Sequence, residues 1–473
     1  VSKDERTRHK EYCQLVRIIR SSKEHLLVGI DIAKDTHHAF FGTATGKVLL
    51  KNLVFPNTRE GIAKLIDHVE ALKIRHNLTE VVFGFEPTGN YHKPLGDYLV
   101  ECGFMVVLVS GASVKRNREI MDGRWDKNDP RDAANIADLI SQGRCLFYEY
   151  PSQGIRDLRD LLSLRRRFKK EETRLILRIR NNLITKHFPE FDKFFKENDP
   201  ESLAITKWCL DPDKIHAKDF NEFFTLVTAR RRSLAQEKKL KTIHEVAGNS
   251  IGCGVGDTST FEAGALVDHL NAARAMLKVI EDRLEKTCKG FPEYKFLLTI
   301  PGFGPFISSV VLAAIGDPFR FKNASQVIKL AGYDLSANRS GKTSDKAVPE
   351  ISKKGNAELR YALYQAASIG SSRQRYMMIY FARKLQGRSR EKGINAKMRV
   401  KLAAKLLVIA WTLMKKKEPF NPADLFKEPC FEKQGGFSLL LEAEKAETRV
   451  LSRASDSSSR RDRRPLIANP SAG

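Results

Sequence analysis

The sequence predicts an α/β domain with a mixed sheet, followed by an all-α region. Three observations carry that assignment. Short apolar runs rich in β-branched residues recur between Leu26 and Val109, punctuated by helical segments. From Ile155 onward, apolar residues instead fall at helical spacing within long segments rich in Arg and Lys. A chain of 473 residues also exceeds a usual single domain, so two to three domains are expected.

Taken in order, residues 1–24 are polar and basic and read as an arm. Leu26–Lys34 is a continuous apolar run that suits a central strand covered on both faces, and it carries one acid, Asp31. Thr36–Gly42 and Lys47–Val54 read as two further strands, with Thr45-Gly-Lys47 as their turn. Asn57–Ala71 has helical spacing through Ile62, Leu65, Ile66 and Val69. Glu80–Phe85 is a second buried-type strand, stopped by Pro87 and Gly89, which leaves Glu86 at its carboxyl end. A helix over Tyr91–Cys102 and a strand over Phe104–Val109 follow. Asp129 then suits an N-cap with Pro130 at the first helical position, and Asp132 lies one turn on.

A buried, unpaired carboxylate is costly, so Asp31 requires either a solvated strand end or a cation. Taken alone, such a residue is most often a structural hydrogen-bond acceptor. Asp129 and Asp132 likewise suit a helix N-terminus for its dipole alone, and nearby Asp126 reads as surface. Together, Asp31, Glu86, Asp129 and Asp132 form a set of four acids on a ribonuclease-H-like order of elements. Hard divalent cations such as Mg²⁺ take oxygen ligands, and two of them can clamp the attacking and leaving oxygens of a phosphodiester.

The charge points to a polyanion. Lys and Arg number 82 against 57 acids, a net charge of +25, and nucleic acid is the partner that such an excess suits. Seven scattered cysteines form no CxxC pair, which argues against a disulfide framework or a zinc site. No apolar run is long enough to span a membrane, and no signal-peptide core precedes the first strand, so a cytoplasmic protein is expected.

Ile155–Phe188 and Phe261–Cys288 suggest an antiparallel helical hairpin or coiled coil. The basic runs Arg165-Arg166-Arg167-Phe168-Lys169-Lys170 and Arg230-Arg-Arg232 are candidates for phosphate contacts, though such runs are often solvated faces. Leu297–Leu312 has the pattern of a helix-hairpin-helix. Gly302 and Gly304 lie in its turn, whose amides can bind a backbone phosphate. Ser336–Ser344 reads as a polar surface loop with Arg339 and Lys342 flanking Ser340. Helices over Ala357–Ser368, Tyr376–Gln386 and Ile394–Lys417 close the fold, and from about Pro419 a disordered tail is expected.

Seven motifs now stand in one order: Gly29-Ile-Asp-Ile-Ala-Lys34, Glu86-Pro-Thr-Gly-Asn-Tyr91, Lys127-Asn-Asp-Pro-Arg-Asp-Ala133, Ile300-Pro-Gly-Phe-Gly304, Ala331-Gly-Tyr333, Ser340-Gly-Lys342 and Ile351-Ser-Lys-Lys-Gly-Asn356. In these the chain resembles the transposases of bacterial insertion-sequence family one-hundred-and-ten, the DEDD transposases or bridge recombinases. The resemblance spans roughly Leu26 to Lys415.

It implies a RuvC-like DEDD nuclease domain over 25–150, a coiled-coil region over 151–290 and a C-terminal transposase domain over 291–418, while the basic arm over 1–24 and the tail expected over 419–473 lie outside it. It further implies Mg²⁺ held by Asp31, Glu86, Asp129 and Asp132, and a serine nucleophile at Ser340, with Ser336 and Ser344 as competing positions. Nucleic-acid contacts are expected of Arg165, Arg166, Arg167, Lys169, Lys170, Gly302, Gly304, Arg339, Lys342, Lys353 and Lys354. The implied partners are donor and target double-stranded DNA and a structured non-coding bridge RNA. The implied assembly is a homodimer pairing into a tetramer, nucleoid-associated when active. Two alternatives remain at this point: a RuvC-like DNA invertase or junction nuclease, and a non-catalytic DNA-binding protein.

Overall fold

The structure, a computed structural model, describes residues 4–121, 129–229, 233–336, 350–388 and 390–426. Two compact units divide the chain, Val1–Gln153 and Gly154–Gly473.

The first unit is a mixed α/β domain. Its strands are β1 (His25–Asp31), β2 (Thr36–Thr43), β3 (Val48–Pro56), β4 (Glu80–Phe85), β5 (Met105–Leu108) and β6 (Leu146–Phe147). They form one sheet in the order β3-β2-β1-β4-β5-β6. β1, β2 and β3 are antiparallel neighbours, β1, β4 and β5 run parallel, and β6 returns antiparallel to β5. Helices α1 (Glu5–Ile18), α2 (Arg59–His76), α3 (His92–Glu101), α4 (Gly111–Met121) and α5 (Asp129–Ser141) complete the unit.

β1 is buried from both sides, which explains its unbroken apolar run. Leu26, Val28 and Ile30 pack into one core with Leu65 and Val69 of α2 and Leu95 and Leu99 of α3. Leu27 packs into the other, with Leu15 of α1 and Ile136, Ala137 and Ile140 of α5.

Three expectations change here. Residues 1–24 are not merely an arm: Asp4 caps α1, whose buried Leu15 joins Ile19 in the second core. The Arg8 guanidinium donates to the Tyr148 carbonyl at 2.9 Å, and the Tyr12 hydroxyl to the Cys145 carbonyl at 2.7 Å. The leading segment carries buried apolar residues and a buried Arg8 among its charges, which a net-charge reading could not show. α4 and β6 were not expected at all. Asp129 is the first residue of α5 rather than the residue before it.

The second unit is mainly helical. It begins within α6 (Gln153–Arg178), which continues as a π-helical turn over Ile179–Ile184. α6 runs antiparallel to the Asp257–Lys289 helix. Arg165 pairs with Glu281 at 2.7 Å and Glu172 with Arg274 at 2.9 Å, so the chain ascends on one helix as it descends on the other. Between the two, short helices close a separate apolar cluster around Phe188, Phe191, Ile205, Phe223 and Ile243.

The C-terminal helices Pro305–Ile315, Ala357–Arg373 and Ile394–Lys416 share a core with Leu158 and Leu162 of α6. Packing does not stop at Pro419. The Phe420 amide donates to Thr299 Oγ1 at 2.8 Å, and Leu425 and Phe426 are buried in that core. Residues 427–473, where the tail was expected, lie outside the described residues. Among the described residues, no helix is long and apolar enough to cross a membrane.

Candidate active site

β1 and β4 are parallel neighbours, with Gly29 opposite Gly84 and Ile30 opposite Phe85. Asp31, the last residue of β1, and Glu86, the first residue after β4, follow these pairs. Side chains alternate across a strand, and Leu27 and Val82 both pack on the α5 side of the sheet. Asp31 and Glu86, each in phase with those residues, therefore project to the α5 side at adjacent carboxyl ends. Both are half-buried.

α5 reaches this face because two glycines leave room for it. A Cβ on Gly29 would collide with the Ala133 carbonyl oxygen and stand 2.7 Å from the Ala137 amide nitrogen. One on Gly84 would collide with Ile140 Cδ1. Ala133 directly follows Asp132, so the turn carrying Asp132 is pressed onto β1 two residues before Asp31. Asp132 is only 4% exposed. Its Oδ1 accepts a charge-assisted hydrogen bond at 2.5 Å from the Arg118 guanidinium of α4.

Polar contacts fix α4 against α5. Asn117 Nδ2 donates to Asn135 Oδ1 and to Asp138 Oδ2, each at 2.7 Å, and Asn135 Nδ2 donates to the Val114 carbonyl at 2.8 Å. Gly111, at the start of α4, leaves space that the Glu86 carboxylate fills. Asp129 opens α5 one turn before Asp132; its side chain, like Asp126, lies outside the described residues.

Asp31, Glu86 and Asp132 thus lie on three neighbouring elements at one face of the sheet, and carboxylate oxygens are the donors a hard divalent cation takes. Among the described residues, no group of three or more His, Cys, Asp or Glu is gathered tightly enough to hold a metal ion. Arg118 supplies the cation at Asp132. Sequence reasoning missed Arg118, because α4 was not expected. It also passed over Gly29 and Gly84, although a glycine inside a buried strand signals a close backbone approach.

The residues expected to contact nucleic acid fall into separate groups. Arg165 is held by Glu281 and lies 3.9 Å from the centroid of the Phe306 ring, so it is a packing residue of the helix pair. Lys169 bonds Glu172 at 2.5 Å, and Arg166 is 3.6 Å from Glu358. Arg167 and Lys170 are exposed. Gly302 adopts φ 85°, and a Cβ there would stand 2.7 Å from the Ala366 carbonyl oxygen, so this glycine faces the protein interior. Gly304 is open and precedes Pro305 at the start of the second helix; the first helix, Tyr294–Leu297, is a single turn.

Lys353 and Lys354 are exposed on a loop that Gly355 presses against the Leu330–Gly332 backbone. The strand pair Leu335–Ser336 and Glu350–Ile351 is antiparallel and joins the two ends of segment 337–349. Arg339, Ser340, Lys342 and Ser344, in that segment, lie outside the described residues, as do Arg230–Arg232 and the Ser336 side chain.

Comparison with known proteins supplies the class, which is that of a transposase. Residues 28–189 match the DEDD IS110 transposase model, and residues 294–382 match a model described as the transposase IS116/IS110/IS902 family. The insertion element IS116 44.8 kDa protein of Streptomyces clavuligerus is 24% identical over 405 residues, covering 85% of this chain and 97% of that protein. The transposase for insertion sequence element IS1111A of Coxiella burnetii is 24% identical over 409 residues, covering 85% and 93%. The insertion element IS110 43.6 kDa protein of Streptomyces coelicolor is 23% identical over 351 residues, covering 72% and 83%. The chain belongs to the IS110/IS116 family of insertion-sequence transposases.

Proposed function

We propose that this transposase cuts and rejoins DNA by metal-assisted phosphoryl transfer on a ribonuclease-H-like, RuvC-like scaffold. One observation supports the reading: Asp31 and Glu86 directly follow the paired residues Ile30 and Phe85, at the edge of the face that α5 covers one residue from Asp132. The sheet order, three antiparallel strands followed by two parallel ones, accords with it.

Asp31, Glu86, Asp129 and Asp132 would hold Mg²⁺, which when bound offsets charge on the scissile phosphate. Arg118 orients Asp132. Ser340 acts as the nucleophile: a bond forms between its Oγ and phosphorus as one bond from phosphorus to a deoxyribose oxygen breaks. The serine hydroxyl gives up its proton, and the released sugar oxygen takes one. Arg339 and Lys342 balance charge at that phosphate. The covalent phosphoserine keeps the phosphodiester energy for rejoining, which a hydrolytic nuclease would lose. The basic helical unit suits a structured guide RNA beside donor and target DNA, in a homodimer that pairs into a tetramer.

The test is a denaturation-resistant protein–DNA adduct, mapped by mass spectrometry to Ser340. It disappears in Ser340→Ala for want of a nucleophile and in Asp31→Ala for want of the acid site. Normal strand joining by Ser340→Ala would refute the serine assignment. Sequencing of co-purified RNA separates guidance, seen as one enriched structured species, from a heterogeneous mixture that counts against it.

A further inference from the structure

A large surplus of positive charge lies in a stretch that the site above does not use. Between Arg373 and Lys405 stand eleven Lys and Arg against one acid, Glu391, so this short stretch supplies a surplus of ten from a chain whose net charge is +25. It comprises the end of the Ala357–Arg373 helix, the Arg375–Leu385 helix, a turn, and the first half of the Ile394–Lys416 helix.

Packing brings these pieces together. Arg399 Nε reaches Ser371 Oγ at 3.4 Å and lies 5.8 Å from the Phe381 ring centroid. Lys384 and Lys405, from different helices, each lie 5.5 Å from the centroid of Tyr380. The stretch's one acid is occupied: Arg388 donates to both Glu391 oxygens, at 2.7 and 2.8 Å. That hydrogen bonding, helped by the charges of Arg388, Lys397 and Lys401, holds the Glu391 carboxyl below the usual range.

Arg390, Lys392, Lys397 and Lys401 are exposed, and no carboxylate lies within ion-pairing distance of them among the described residues. Lys397 and Lys401 are one turn apart and share a helix face. Like charges held this close on a folded surface repel one another. Nothing in the core requires them, and a row of phosphates would relieve the repulsion. The contrast with α6 is direct, because there Arg165 and Lys169 are already matched by Glu281 and Glu172.

We infer that the surface formed by Arg390, Lys392, Lys397 and Lys401 is a sequence-independent docking site for the phosphate backbone of duplex DNA. It rests on the family's action on DNA, not on the carboxylate chemistry. The helices supply fixed spacing for the cations, and their one acidic neighbour, Glu391, is already engaged by Arg388, which leaves their charge for the ligand. Contacts of this kind position a duplex without reading its sequence.

The experiment is a salt titration of binding to a random-sequence DNA duplex of about 40 base pairs, without divalent ions so that the acid site plays no part. The full chain is compared with the quadruple variant Arg390→Gln, Lys392→Gln, Lys397→Gln, Lys401→Gln. A charge-matched control carries Lys238→Gln, Lys241→Gln, Lys278→Gln and Lys286→Gln elsewhere on the second unit. The docking variant should lose roughly 0.9 from the slope of log affinity against log salt for each phosphate contact removed, up to about 3.6 in all. The control should lose much less.

All eight side chains are exposed, so thermal melting should match the parent and exclude unfolding as the cause. Equal losses in the two variants, or an unchanged slope, would overturn the inference. So would a loss confined to an RNA duplex of the same length. Failure of metal-dependent cleavage in this protein, by contrast, would leave the binding result untouched.

Discussion

Replacing Gly29 with alanine tests whether α5 must sit against β1. The added methyl group meets main chain: the Ala133 carbonyl oxygen in a hard collision, the Ala137 amide nitrogen at 2.7 Å and Ala137 Cβ at 3.1 Å. Main-chain atoms cannot rotate aside, so α5 itself has to move. Overpacking costs roughly 1–3 kcal/mol, and the upper half of that range is expected for a backbone collision. For a unit of this size, about 2–3 kcal/mol lowers the melting temperature by roughly 4–12 °C. Asp132 moves with the helix, and if it belongs to the proposed acid site, a misplacement of about 1 Å costs on the order of 100-fold in rate. Gly84→Ala is the internal comparison. Its methyl meets Ile140 Cδ1, the far end of a flexible side chain, so its penalty should be about 1 kcal/mol smaller. Calorimetry on the full chain reads the stability, and a DNA strand-transfer assay reads the rate. If Gly29→Ala melts with the parent and transfers strands at the parental rate, the seating of α5 on β1 is wrong.

Other outcomes follow from single contacts. Arg118→Ala leaves the Asp132 carboxylate buried without its cation and should cost about 1–3 kcal/mol, at the low side of values for a buried pair because Arg118 is partly exposed. Mg²⁺ should raise the melting temperature of that variant more than the parent's, as read by differential scanning fluorimetry. Glu172→Ala removes a buried acid that joins the antiparallel helices. Burial pushes its pKa up, but hydrogen bonds from Lys169 and Arg274 outweigh this and hold it low. The loss should be about 2–4 kcal/mol in urea unfolding of the second unit. Burial lowers the pKa of His25, His37 and His92 from the ordinary 6.5. Each stays neutral when folded and takes up a proton on unfolding. Their stabilisation is therefore present above about pH 6.5 and is lost as pH falls through the lowered values. His37 Nδ1 accepts from the Ala33 amide at 3.3 Å, and His37→Gln should flatten the fall in urea midpoint between about pH 7.5 and about pH 5.5.

The elements of the first sheet were legible because strand and helix differ in period. Leu26–Lys34 and Glu80–Phe85 read as buried strands; β4 has the expected bounds, and β1 starts one residue earlier, at His25, and ends at Asp31. Sequence also placed Asp31 and Glu86 near strand ends. It could not supply their common face, which depends on the β1–β4 register and on glycines whose neighbours are remote in the chain. Arg118 stayed hidden for the same reason: its partner Asp132 is fourteen residues away on another helix. The arm expected at 1–24 shows the opposite error. Most of its charge is on the surface, but Arg8 is buried, and Leu15 and Ile19 anchor the segment in a core that composition could not reveal. In α6 the basic run was legible as charge, while the acids that match Arg165 and Lys169 were not.

The central claim is that Asp31, Glu86 and the start of α5 form one divalent-cation site, and metal-directed backbone cleavage tests it without any DNA. Fe²⁺ replaces Mg²⁺ in the full chain, ascorbate and peroxide generate radicals at the bound metal, and mass spectrometry maps the cuts. The expected result is cleavage clustered near residues 31, 86 and 129–132, competed away by excess Mg²⁺ and lost in Asp31→Asn. Cleavage elsewhere, or an unchanged pattern in Asp31→Asn, would contradict the account.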